Sequence, residues 1–253
     1  MQGVQTFEKY VFKADPDRAL CASFLPEPAR QNIFLLLAFH DEITRALVPG
    51  RSATIAGPMA AYIRLQWWRD VLEGTRPPEH ELAPLLLSAL QAKKFRTETV
   101  TDLLEARESE LSAEGDPSSW AAMMLKGSGG LQRAVGEALG ITDAETLDGL
   151  AACGAAYGAG AMLRHWPVLQ KAGGRYLFPG EADGLRQAGL VFLAEAEQKI
   201  AKGSLAAKAA LPAVLARRDL QRDSTQAGRP RGLGDKCAVI AAGLKTRWSG
   251  NKT

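Results

Sequence analysis

Apolar residues recur along this chain at intervals of three and four, the spacing that lines one face of an α-helix. Asp15-Pro16-Asp17 reads as a helix start, with Leu20, Cys21, Phe24 and Leu25 following at helical spacing. Pro26 to Pro28 interrupts the chain and opens the next helix. From Ile33 to Phe39 that helix is apolar on every side, so it is expected in the interior, and it turns polar at His40-Asp41-Glu42. Helical patterns continue over Ile55 to Gly74, Leu85 to Lys94, Glu98 to Ser112, Trp120 to Leu139, Ile141 to Arg164, Leu185 to Ile200, Ala206 to Arg217 and Lys236 to Trp248. Gly127-Ser128-Gly129-Gly130 interrupts the fourth of these. No alternating strand pattern and no internal repeat is found. The pattern predicts an all-α chain of roughly ten to twelve helices around one central cavity. Residues 1–225 form the helical domain, and 226–253 form a linker and a basic C-terminal helix.

Small residues concentrate between Gly154 and Pro179. Gly154 and Gly158 share a helix face, with Ala151, Ala155 and Met162 on it or beside it, so another helix can approach closely. Gly costs about 1 kcal/mol against Ala inside a helix, so several together need a packing reason or a ligand. Pro167 is expected to end or kink the helix near Trp166. A Gly173-Gly174 turn then leads into Arg175-Tyr176-Leu177-Phe178-Pro179.

Composition narrows the class. The chain has 253 residues, 46% hydrophobic and 23% charged, as in ordinary globular proteins, and needs neither disulfide nor metal to hold a core. Its three cysteines are far apart and its three histidines have no metal-ligand spacing, which reads as unpaired thiols in a reducing compartment. The start lacks the basic and apolar runs of a secretory signal, and no apolar run reaches membrane-spanning length. The expected location is therefore cytoplasmic. A net charge of +3 is too small to imply nucleic acid, but from Arg217 onward nine Lys/Arg face three Asp. That basic end suits an acidic partner or an anionic membrane surface, and equally a solvated tail.

Several polar groups are candidates for chemistry. Asp41 and Glu42 stand four and three residues before Arg45, spacings that favour ion pairs within a helix over a metal site. Trp67 and Trp68 point in different directions, which reads as one in the core and the other at a groove or partner contact, or as both in structural packing, and Arg64, Arg69 and Asp70 can form a polar network on one edge. The Gly127–Gly130 cluster has no preceding strand and no following Lys-Ser/Thr, which excludes a P-loop.

The order of these segments resembles the squalene/phytoene synthase family, from about Leu20 to Leu215. There a helix reading roughly GxAxQLTNILRDxxED precedes a GRxYLP loop. Gly154, Ala156, Leu163 and Arg164 match the helix, and Gly174 to Pro179 stands for the loop. Ala38-Phe39 match the pair that precedes the family's DDxxD motif. The resemblance implies an isoprenoid (terpenoid) synthase-like helical bundle around a central cavity. It also implies Mg²⁺-dependent condensation of two prenyl diphosphates, with aspartates at both motifs. Here the first motif falls on Thr44, Arg45 and Val48, and the second on His165, Val168 and Leu169. Gly158 and Ala161 replace the polar Gln and Asn.

Cations do not hold Mg²⁺, so no catalytic residue and no metal ligand is expected. Asp41, Glu42, Arg45, Arg164, His165, Arg175 and Tyr176 become candidate cavity or anion contacts. The chain is closer to a non-catalytic branch, the complex I assembly factor of this descent and its bacterial relatives. The resemblance rests on Ala38-Phe39 with Glu42, on the LQWW run ending at Trp68, on Glu105 to Leu111, and on Trp248. It implies a scaffold that takes a respiratory-complex subunit or assembly factor as partner. It further implies an isoprenoid-like lipid as ligand, peripheral contact with the inner membrane, and no cofactor. The alternative is a head-to-head prenyl-diphosphate transferase, and only that reading calls for Mg²⁺.

Overall fold

The computed structural model describes residues 2–47, 56–112, 116–171, 178–222 and 231–249. Within them the chain forms fourteen α-helices, with a single π turn breaking the run, and no strand. In order they are α1 (Gln2–Ala14), α2 (Pro16–Ala22), α3 (Glu27–Ala46), α4 (Ala56–Leu72), α5 (Ala83–Gln91), α6 (Thr97–Ser112) and α7 (Pro117–Met124). The π turn Leu125–Gly129 follows, then α8 (Gly130–Ala138), α9 (Ala144–Arg164), α10 (Trp166–Lys171), α11 (Ala182–Lys199), α12 (Leu205–Ala209), α13 (Pro212–Gln221) and α14 (Leu233–Ser249).

Local chemistry sets the boundaries. Asp15 caps α2 by accepting from the Arg18 backbone N–H, and Pro16 follows at the first helical position. Asp116 caps α7 through the Ser118 and Ser119 N–H groups, again before a Pro. Asp143 caps α9 through the Thr146 N–H. Such caps are each worth about 1 kcal/mol. The break at His165 before Pro167 separates α9 from α10, where the sequence places it. Three expectations change. The described residues form fourteen helices where roughly ten to twelve were expected. The stretch before Asp15 is itself helical, as α1. The pattern read as one helix over Ala206 to Arg217 is two, because Pro212 starts α13 afresh.

Two large apolar clusters hold the bundle, with a small third one of Ala152, Cys153 and Ala196. One gathers α1 to α6 around α3, whose residues Ile33 to Phe39 are all buried. The other gathers α9, α11 and α13 with Trp120 of α7 and Val239 of α14. Between α3 and α9 lies α8, which packs against both. The ends of the two helices that carry the family motifs reach the surface, with the Arg45 side chain 56% and Val168 64% exposed, so they do not face each other across a cavity. A cavity of about 20 Å³ lies between α2, α3, α8 and the α12–α13 join, lined by Arg18, Cys21, Leu37, Gln132, Val135 and Pro212 among others. Its volume admits a water molecule or so.

The small-residue face of α9 meets the π turn. The Ser128 hydroxyl donates to the Gly154 carbonyl at 2.7 Å. A Cβ at Gly154 would lie 2.7 Å from Gln132 Cβ, and one at Gly158 would overlap Met124 Cε and lie 2.9 Å from Ser128 Oγ. The close approach expected of this face therefore occurs, and its partner is the glycine-rich turn. The π turn uses the Gly127–Gly130 cluster to widen the helix locally, a distortion common at functional positions.

Candidate functional site

Two polar centres stand where the sequence directs attention, at the end of α3 and at the end of α9.

At the end of α3 the acids are paired within reach of their own helix. Arg45 Nε lies 2.9 Å from Asp41 Oδ2, and Arg45 Nη2 lies 2.6 Å from Glu42 Oε2. Asp41 also accepts a hydrogen bond from the Tyr10 hydroxyl of α1. Burial and then Asp41 push the Tyr10 phenol well above its usual range. Glu42 Oε1 faces His80 Nε2 at 3.9 Å, and the His80 ring sits 5.1 Å from that of Trp68. Trp68 is buried edge-on against Phe39, and Trp67 is half-buried against the same cluster, so both pack on the core and no groove contact of Trp67 is seen among the described residues. Thr44, at the first motif position, turns its hydroxyl back to the His40 carbonyl at 2.7 Å. The network expected of Arg64, Arg69 and Asp70 is instead divided: Arg69 reaches Glu108 on α6 at 2.8 Å, and Asp70 accepts from Gln66.

At the end of α9 lies a denser, buried network. The side chain of Arg231, just before α14, is 3% exposed and that of Asp219 of α13 is 1% exposed. Arg231 binds Asp219 Oδ2 at 2.5 Å, Asp17 Oδ2 at 2.7 Å and the Tyr157 hydroxyl at 2.9 Å. Burial works against the charge of Arg231, yet Tyr157, Asp219 and Asp17 hold its guanidinium firmly protonated. Arg164 Nε approaches the same Asp219 oxygen at 3.8 Å. His165 beside it is driven below its usual range by burial, then by Arg164 and Arg231. The Tyr157 ring is stacked between Arg18 at 4.3 Å and Arg231 at 4.7 Å. Its phenol is pushed up to about 12, chiefly by burial.

Arg18 extends this network inward. Its Nη2 donates to Ser128 Oγ at 2.8 Å, and Ser128 passes the link to Gly154. Arg18 and Arg107 both act on His40, whose Nε2 is enclosed without a hydrogen-bond partner. Burial first, and these two cations second, hold His40 neutral. Asp235 closes the outer side of the network. It accepts from Arg218 at 2.6 Å and from Arg222 at 2.5 Å. These bonds overcome the cost of burial and hold its carboxyl down at about 2.

Of the seven candidate contacts, Asp41, Glu42 and Arg45 stand together at the α3 end, and Arg164 and His165 stand together at the α9 end. Arg175 and Tyr176, like Val48 and the Gly173-Gly174 turn, lie outside the described residues. The sequence did not single out Arg231, Asp219, Asp17, Tyr157, Arg18 or Tyr10. Asp17 and Arg231 are 214 positions apart, so no local spacing could mark the pair. Only the Asp219–Arg222 and Asp15–Arg18 pairs, three residues apart, leave a local trace.

A family model described as squalene/phytoene synthase matches residues 11–191. Among solved structures, a dehydrosqualene synthase determined in complex with a ligand superposes with a TM-score of 0.69 at 14% identity, covering 100% of this chain and 98% of that one. The squalene synthase HpnC from Alicyclobacillus acidocaldarius superposes with a TM-score of 0.59 at 12% identity, covering 97% of this chain and 95% of that one. At those identities the likeness shows a shared fold. No curated protein matches the sequence.

Mg²⁺ takes an octahedron of oxygen ligands, carboxylates combined with phosphate oxygens and waters. Among the described residues no three His, Cys, Asp or Glu side chains converge as such a site requires. Asp41 and Glu42 are engaged by Tyr10, Arg45 and His80, and Asp219 and Asp17 by Arg231. Among the described residues the donor set does not fit Mg²⁺. What both centres can do is hold an anion or stay closed as ion pairs.

Proposed function

The chain belongs to the squalene/phytoene synthase family, and from that premise we propose that it is a non-catalytic member that acts as a scaffold in the assembly of respiratory complex I. The observation that carries this reading is the chemistry at the two helix ends. Family chemistry rests on carboxylates that gather metal around a departing diphosphate. Here the α3 end presents Arg45 with its neighbouring acids already paired, and the α9 end presents Arg164 and His165 to the Asp219–Arg231 pair. The Arg45 cation attracts a diphosphate but repels the metal that would assist its departure, and at the α9 end a neutral His165 stands where the family pattern carries a carboxylate. What remains is a helical shell with ion-paired centres, suited to contact with a partner protein. The partner class, a respiratory-complex subunit or assembly factor, comes from the resemblance to the non-catalytic branch.

Two measurements test the reading. A deletion strain is expected to lose assembled complex I while squalene, hydroxysqualene and phytoene stay at their normal levels. Pure protein is expected to show no Mg²⁺-dependent turnover of farnesyl or geranylgeranyl diphosphate. Normal complex I with depleted squalene or phytoene, or measurable turnover, would replace the proposal with the transferase reading.

A further inference from the structure

The last helix is apolar on two opposite sides. Its inner side packs on α2 and α13, with Val239 buried and Gly243 so close to Phe24 that a Cβ there would meet the ring at 2.6 Å. A surface helix normally turns a polar side outward. On α14 the outer side instead carries Leu233, Cys237, Ile240 and Leu244. Leu233 is 80% exposed, Leu244 52% and Ile240 40%, and Cys237 is exposed as well. Their spacing is four, three and four, the alternation with which a helix offers a seam to a second helix.

The row itself selects a second copy of the same face as its occupant. Its spacing reads the same in both directions. Two α14 helices laid antiparallel about a two-fold axis therefore bring Leu233 level with Leu244 and Cys237 level with Ile240, twice over. Such self-matching is what an isologous dimer requires. Gly234 and Ala241 stand on one flank of the row, so bulky side chains do not hold a second helix away there. The charged neighbours fit the same register. Asp235, the one acid of the helix, is buried on the inner side against Arg218 and Arg222. Lys236 comes level with Ala241 of the second copy and Lys245 with its Gly232, so each lysine meets a small residue. A parallel pair would instead set Lys236 level with Lys236 and align the helix dipoles, which the antiparallel pair opposes. We infer that the outer face of α14 pairs with itself, antiparallel, to make a two-fold dimer through the Leu233–Cys237–Ile240–Leu244 row. One helix face offers less than the ~800 Å² per partner of a standard interface, so the dimer is weak and reversible. The inference stands on α14 alone and is independent of whether the protein is catalytic.

Sedimentation equilibrium of the full chain under reducing conditions tests it. A monomer–dimer equilibrium is expected, with a dissociation constant on the order of 10 μM. Because the contact is apolar, added salt should not weaken it. Leu233→Lys and Leu244→Glu should each weaken self-association by about tenfold or more. Mixed in equal amounts, these two variants should associate with each other more tightly than either does with itself. Only the antiparallel register sets the introduced lysine level with the introduced carboxylate. Val191→Glu, at an apolar residue 67% exposed on α11, should leave association unchanged. Circular dichroism checks that each variant is folded. A monomer at every concentration up to about 1 mM, unchanged association in either single variant, or no preference in the mixture would overturn the inference. So would a monomer that uses the same row to bind anionic vesicles or an acidic amphipathic peptide.

Discussion

His40 is held neutral by its surroundings, and this makes the fold sensitive to mild acid. Its imidazole is enclosed near Arg18 and Arg107, with Nε2 lacking a partner. In the unfolded chain it titrates near the ordinary value of 6.5. Because the folded value is depressed, the folded state binds fewer protons than the unfolded one below that point. Stability is therefore full above about pH 7.5 and falls as pH drops through the unfolded value, by up to about 1.4 kcal/mol per pH unit. Urea unfolding between pH 7.5 and 5.5 should show this slope, and His40→Gln should flatten most of it. His165 is depressed too and contributes with the same sign. An equal slope in the variant would mean that His165 or another group carries the effect. At this scale the sequence is legible where partners are close neighbours. The Asp41–Arg45 and Glu42–Arg45 pairs follow from helical spacing alone. Arg69 shows the limit, since its carboxylate partner comes from another helix, a choice that tertiary packing makes.

The contact between α9 and the π turn decides whether the centre is open or closed. Gly158 stands where the family pattern carries Gln, and here the turn occupies that space. Gly158→Gln would drive a long side chain into Met124 and Ser128, both enclosed by α7, α8 and α9. Overpacking of this kind costs about 1–3 kcal/mol. Thermal or urea unfolding should show that loss, and an unchanged midpoint would mean that the turn yields easily. The helices themselves were legible because the chain punctuates them with Asp-Pro starts and glycine clusters. The π turn was legible as an interruption but not as a π turn, since glycines permit several distortions and only the seat on α9 selects one. The division at Leu211-Pro212 was missed because apolar spacing continues across it, while the Pro ring acts on the backbone alone.

Across the whole molecule, Arg231 joins elements from both ends of the described chain. It links α2 through Asp17, α9 through Tyr157 and α13 through Asp219. Removing one member of a buried charge network leaves the others without compensation, at about 3–5 kcal/mol. Arg231→Met should lower urea stability by that order, and a shift below 1 kcal/mol would show that Arg164 and Arg222 suffice to satisfy Asp219. The fold class was open to inspection because helical periodicity repeats in every segment. The buried network was not, because it is assembled from residues that share no local pattern.

The Asp17–Arg231 link also has a consequence for how the protein is made. A contact spanning 214 positions cannot form until Arg231 has left the ribosome. Until then Asp17 lacks the cation that holds it in the finished fold, whereas Asp219 already has Arg164 and Arg222 within reach. The nascent chain is thus kept from closing its centre early, and the interval before closure is one in which chaperones meet an open bundle.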